Sequence, residues 1–280
     1  MLDSHAHILT RDTISYPLFG PTQEKLDYLE THSFDVADLS AAMDETGVAQ
    51  ALIVQRGQFY GADNSYVCAA AQASGGRLKA VCGIESRSMD CAQHAAEWLD
   101  RGAAGVRIMG RPQEATLDWL GGDEAQALWR LCAERDTVLC AHLFPTDRLA
   151  GLATIATMLD RYPLRWLVID HLGNPAIGDA AGAGIDDAIR RIADRPNVAL
   201  KFTTIPLARL ADQGIDGGRV LEAYIALFGA DRLIWGSDIT QSTGSYGDMV
   251  SLAHQATACL PAAARAQVLG DNTRRIYRWE

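Results

Sequence analysis

Apolar residues along this chain gather into short unbroken runs more often than they alternate with polar ones. Stretches such as ALIVQ and RWLVID suit strands buried on both faces of a parallel sheet. Eight such runs predict strands at 1–7, 49–55, 78–84, 104–109, 137–143, 165–171, 198–203 and 232–237. Between them the pattern changes to helical spacing. DVADLSAAMDETG carries apolar residues at that spacing and stops at Gly47. DNSYVCAAAQASGG opens on Asp-Asn and stops on Gly-Gly, and DEAQALWRLCAERD, DRLAGLATIATMLDRY and GGRVLEAYIALFG continue the series. Two further helical stretches near 248–259 and 261–278 complete the count. This alternation predicts an α/β fold, a single (β/α)8 TIM barrel filling one domain over residues 1–280, with its site at the C-terminal ends of the strands. An open doubly wound sheet is the structural alternative, but no GxGxxG follows any strand to support it.

Length and composition narrow the class. The 280 residues suit one large barrel better than two average domains. No apolar run is long enough to span a membrane, and the opening MLDSHAHI has no basic stretch leading into an apolar one. A cytoplasmic protein is therefore expected. The net charge of −10 opposes contact with phosphate backbones, so no nucleic-acid partner is expected. Cys68, Cys82, Cys91, Cys132, Cys140 and Cys259 form no CxxC pair, and most lie in apolar patterns that read as buried free thiols. Two long connections, 8–34 with Tyr16, Pro17, Phe19 and Tyr28, and 110–122 with Pro112 and Trp119, are placed over the barrel mouth as lids or binding loops. Barrel enzymes of this size are often homodimers, although no self-complementary patch is visible in the sequence.

The chemistry concentrates at strand ends. In LDSHAHI, side chains alternate, so His5 and His7 point the same way, and two neutral imidazoles there suit a divalent transition metal such as zinc. TVLCAHL ends at His142, LVIDHLG reaches His171 and LIWGSD ends at Asp238. A lone histidine after a strand is ordinarily structural. Four of the seven histidines and an aspartate, all on the face where barrel enzymes do chemistry, make a site. His32, His94 and His254 fall in a loop or on helices and read as structural. Glu85 ends the third strand, either as a further acid or as a surface carboxylate. Asp170 precedes His171, and alternation aims it at the helix layer. Arg56, Arg87, Arg107, Arg111 and Lys201 lie near strand ends of an acidic protein. They suggest a small anionic substrate gripped through a carboxylate, unless each meets a structural acid. Tyr60 and Asn64, in YGADN, offer polar contacts to it, although Asp63-Asn64 equally suits a helix cap.

HxH in strand one, histidines after strands five and six and aspartate after strand eight resemble the amidohydrolase superfamily. More narrowly, VQRGQFYGADN, GVRI and the tail LGDNTRRIY are similar to the amidohydrolase-2 group of lactonases and decarboxylases, over essentially the whole chain. The resemblance implies that His5, His7, His142 and Asp238 surround one divalent metal, with His171 as an additional ligand or a substrate-polarising group. Imidazoles with one carboxylate suit zinc best and manganese next. Two-metal members carry a bridging lysine or acid in strand four. Here that strand offers Arg107, which cannot ligate, so at most one metal is implied. The same group includes lactonases that work without metal. The implied reaction is hydrolysis of a carboxylated or sugar-derived lactone, with Asp238 as general base and the metal, or His142 and His171, stabilising the oxyanion. Nonoxidative decarboxylation of an unsaturated or aromatic acid is the competing reaction. A binding protein that kept the barrel is disfavoured by the complete constellation.

Overall fold

The structure, a computed structural model, describes residues 1–111, 116–176 and 183–279. Its strands are β1 (Leu2–Ala6), β2 (Gln50–Val54), β3 (Leu78–Gly83), β4 (Gly105–Met109), β5 (Val138–His142), β6 (Trp166–Ile169), β7 (Val198–Thr203) and β8 (Leu233–Gly236). They form one sheet in chain order with every neighbouring pair parallel, wound by intervening helices into a (β/α)8 barrel. Each predicted strand overlaps an observed one. The β6 run stops at Ile169 instead of 171 because Asp170–Gly173 coil into a tight turn in which His171 and Leu172 are left-handed.

Alternation along the strands builds two cores. Leu2, Leu52, Val54, Val81, Cys140, Val168, Ala199 and Ile234 pack together inside the barrel, over a plug of Ile276, Tyr277 and Trp279. Residues of opposite phase, such as Ile53, Leu139, Leu167 and Leu200, pack outward against helical Leu128, Ile155 and Leu221. The inner core fills only the lower lumen, and polar side chains replace it towards the strand C-termini.

Several expectations are revised. The connection 8–34 is not all loop: Gln23–His32 is a helix capped by Thr22, whose side chain accepts from Lys25 N–H. It buries only Leu29 and is otherwise polar, so it gives no periodic apolar signal. Its neighbour strand-like bridge, Leu9 to Phe34, draws the ends of the connection together. In the connection 110–122, Asp118–Gly121 form a helical turn that buries Trp119, while Pro112 lies outside the described residues. The stretch predicted helical at 261–278 is helical from Ala262 to Ile276, with a π-turn at Gln267–Asp271 within it. Five cysteines are buried free thiols and Cys259 is exposed. No described helix is long and apolar enough to cross a membrane.

Candidate active site

The site begins with a fault in β1. Leu2 belongs to the inner core, so strict alternation would send Ser4 and Ala6 inward after it. Instead the register with β2 slips between Asp3 and Ala6, Ala6 joins the outer core, and His5 and His7 turn into the lumen. Their rings meet edge-on at 4.9 Å between centroids. His171 lies 5.4 Å from His5 and 5.0 Å from His142, so four imidazoles from three strands converge. Asp238 closes the group from the end of β8. It and His171 both adopt left-handed backbone, with φ 58° and 54°, which turns their side chains inward just past the strand ends.

Hydrogen bonding assigns the free lone pairs. His7 Nδ1 lies 2.7 Å from the Val54 carbonyl and must carry the proton donated there. Its Nε2 is therefore a bare acceptor, and it faces Asp238 Oδ1 at 3.3 Å. His5 Nε2 stands 3.5 Å from the same oxygen. Neither His5 Nε2 nor either Asp238 carboxylate oxygen has a hydrogen-bond partner, and the three residues offer ligand atoms within 4.8 Å of one another. Buried acceptors that face each other call for a cation or a proton between them. His142 Nδ1 beside them is also unpartnered. This donor set fits one divalent ion of the kind that imidazole and carboxylate hold together.

Burial depresses His5, His7 and His142 well below the usual histidine range, so all three are neutral near pH 7. Burial likewise lowers His171, against the pull of Asp238 and Asp170. Burial raises Asp238 to about 6, although His171, Arg107 and Arg56 draw it back. A carboxylate with that affinity, unpartnered and lining a cavity, is suited to take a proton from water.

Asp170 corrects one expectation. It faces the lumen, not the helix layer, because Trp166 and Val168 of the same phase are inward and the left-handed turn at His171 brings the next side chain to the same side. Arg107 Nε donates to Asp170 Oδ2 at 2.8 Å, and Lys201 Nζ lies 3.2 Å from Oδ1. Burial opposes the Asp170 charge, yet Lys201 and Arg107 hold it well below the ordinary carboxylate range. Lys201 also reaches His5 Nδ1 at 3.1 Å, and that nitrogen is 3.4 Å from Asp170 Oδ1. As an ammonium Lys201 can only donate, so here His5 Nδ1 accepts from it and Nε2 carries the proton towards Asp238 Oδ1; an ion at Nε2 would require that proton on Nδ1, directed at Asp170.

Above this floor opens a cavity of about 180 Å3, reached by His7, His142, His171 and Asp238. Arg56 and Arg107 line it, as do Gln55, Gln58, Gln241 and the apolar Phe144 and Pro145. Arg56 is buried and donates to Thr240 Oγ1 at 2.7 Å, and Tyr28 of the first long connection donates to the Thr240 carbonyl at 3.0 Å. The remaining candidate substrate contacts sit elsewhere. Lys201 is fully buried beneath the cavity in its pair with Asp170. The Tyr60 hydroxyl accepts from Thr10 N–H at 3.0 Å and does not line the cavity. Arg87 and Arg111 both bind Glu85, at 2.6 and 2.9 Å, and none of these three lines it either. Sequence reading missed Arg209 and Asn174. Both line the cavity, with Arg209 Nη1 3.4 Å from Asn174 Oδ1. Arg209 sits inside the helix Thr204–Asp212, away from any strand end, and only its place just after β7 could have pointed to it.

Comparison with known proteins covers the same span. A family model described as an amidohydrolase matches residues 2–279. A protein named L-fucono-1,5-lactonase from Burkholderia multivorans (strain ATCC 17616 / 249) is 26% identical over 294 residues, taking in 99% of this chain and 95% of that one. A protein of the same name from Burkholderia ambifaria is 28% identical over 256 residues, 88% of this chain and 85% of that one. The crystal structure of a Pseudomonas putida protein, provisionally named a 2-pyrone-4,6-dicarboxylic acid hydrolase, superposes with a TM-score of 0.77 at 25% identity. That superposition covers 100% of this chain and 97% of the other.

Proposed function

The chain belongs to the amidohydrolase family, and on that footing we propose that it hydrolyses a carboxylated lactone with Asp238 as general base. The observation that carries the reading is the Asp238 carboxylate. It is buried without a hydrogen-bond partner, raised to about 6, and set in a cavity that three arginines line. The two relatives named for lactone hydrolysis and the structural neighbour named for a pyrone dicarboxylate support the reaction type.

Charge supports the substrate class. Lys201, Arg107, Arg56 and Arg209 bring four cations to the lumen and cavity, against the carboxylates of Asp170 and Asp238. Lys201 and the Nε face of Arg107 are taken by Asp170. Arg56 and Arg209 remain at the mouth with donors to spare for a carboxylate. Bound there, the lactone lies with its carbonyl over His142 and His171.

Asp238 orients a water against that carbonyl and takes its proton at a carboxylate oxygen as the new C–O bond forms. An imidazole N–H of His171 or His142 donates to the developing oxyanion. The tetrahedral adduct collapses with cleavage of the ring C–O bond, and Asp238 returns the proton to the leaving oxygen. The product is a ring-opened hydroxy acid, or its keto tautomer. A divalent ion held by His5, His7 and Asp238, with His142 beside it, supplies carbonyl polarisation and more acidic water when bound.

The test is a panel of matched lactones with and without a ring carboxylate, followed for proton release and for carbon dioxide. Proton release without carbon dioxide, fastest on the carboxylated members, is expected. Release of carbon dioxide from an unsaturated or aromatic acid would replace the hydrolase with a decarboxylase. A preference for neutral sugar lactones would remove the role given to the arginines.

A further inference from the structure

We infer that Asp3 is a positioning residue: its carboxylate stabilises the slip in β1 that turns His5 and His7 into the lumen, and locks that strand to the one bearing Asp238. The inference rests on the reading of His5, His7 and Asp238 as the reacting site.

The ladders run from β1 to β8 in chain order, and the seam between β8 and β1 is closed by other means. A bulge leaves backbone groups without ladder partners, and a buried N–H without an acceptor is costly. Here Asp3 supplies the acceptor. Its Oδ1 takes the N–H of His5 at 2.9 Å and, from across the seam, the N–H of Ser237 at 2.9 Å. Its Oδ2 accepts from the Tyr246 hydroxyl at 3.1 Å. One oxygen thus bridges the residue that carries the first imidazole and the residue next to Asp238. The seam is reciprocal, since Asp238 N–H donates to the His5 carbonyl at 2.7 Å. Both backbone polar groups of His5 are therefore engaged, one by the Asp3 side chain and one by the Asp238 backbone.

Close packing shows how little slack the seam allows. A Cβ on Gly236 would stand 2.5 Å from His5 Cβ and 2.9 Å from His5 N. Asp3, His5, Ser237 and Asp238 are all fully or almost fully buried, so water offers no substitute for the carboxylate. Asp3 touches neither the cavity nor any of the ligand atoms. It acts by setting where His5 Nε2 and the Asp238 carboxylate stand relative to one another, and a shift of about 1 Å there costs on the order of a hundredfold in rate.

The experiment compares wild type with Asp3→Ala and Asp3→Asn, and with Leu128→Ala in a distant helix as a control for plain loss of packing. Each is measured for thermal midpoint, zinc affinity by chelator competition, and kcat and KM on the best lactone. For Asp3→Ala, zinc affinity and kcat are each expected to fall about 10–100-fold with KM little changed, as for residues that orient a ligand without touching the metal. Asp3→Asn keeps an oxygen for both N–H groups and is expected to recover most of both quantities. Leu128→Ala should lower the thermal midpoint while leaving zinc affinity and kcat near wild type. If Asp3→Ala does not fold, Asp3→Ser carries the same expectation, because its single oxygen is too short to take both N–H groups. Wild-type zinc affinity and kcat in a folded Ala or Ser variant would overturn the inference. An Asp238→Asn enzyme of normal turnover would instead remove the reading of the site and the Asp3 role with it. Should wild type hold no zinc, the kcat comparison alone decides.

Discussion

The lower and upper halves of the barrel lumen are built from the same eight strands and solve opposite problems. Below, Leu52, Val54, Val81, Val168 and Ile234 make an apolar core in which the Tyr277 hydroxyl of the plug is the one side-chain polar atom buried without a partner among the described residues. Above, within a few residues along the same strands, stand four histidines, two aspartates, Arg107 and Lys201, nearly all buried. Asp238 and His5 there retain buried atoms without partners. Backbone strain follows the same division. Five of the eight non-glycine residues with left-handed backbone among those described are His171, Leu172, Asn174, Asp238 and Thr240, at the ends of β6 and β8. Such conformations persist only where the surroundings enforce them, so the lower half provides rigidity that the upper half spends on reactivity.

Breaking each half should have different signatures. The largest stability effect is expected from Asp170→Asn, which leaves Arg107 and Lys201 buried without their shared carboxylate. Removing one partner of such a cluster costs about 3–5 kcal/mol, visible in urea unfolding, and turnover should fall as well because Lys201 and His5 are released from register. Leu52→Ala in the lower lumen should cost about 2–5 kcal/mol in the same measurement, yet leave kcat of the folded enzyme close to wild type. Equal losses of kcat in the two variants would erase the distinction between the halves. A smaller effect is expected at the mouth. Arg56→Ala should raise KM for a carboxylated lactone by about 10–100-fold, the worth of one or two charge-assisted hydrogen bonds, with less change for a neutral one.

The same division explains what was legible in the sequence. The strands announced themselves because a core buried on both faces demands unbroken apolar runs, and the site histidines stood out as polar interruptions at the ends of those runs. Alternation sufficed to pair His5 with His7, but not to say which side faced inward, since the slip in β1 has no apolar signature. It failed at Asp170 for a related reason: a left-handed turn at His171, which sequence period does not encode, sends two consecutive side chains to one side. Cations were visible but not their partners. Arg56 and Arg107 reach the cavity, Lys201 meets a buried acid, and Glu85 gathers Arg87 and Arg111. Arg209 was hidden in an ordinary helical pattern, and the helix Gln23–His32 in a polar one.

The central claim is that the upper lumen works through the Asp238 carboxylate, and its most direct test is the pH dependence of kcat/KM for wild type beside Asp238→Asn. A base raised to about 6 must be ionised to act, so in chelated wild-type enzyme the rate should be level near neutrality and fall tenfold per pH unit below about 6. The Asn variant should fold, lose that acid limb and turn over about 10²–10⁴-fold more slowly. An Asn variant within a few-fold of wild type, or one that keeps the same acid limb, would contradict the account.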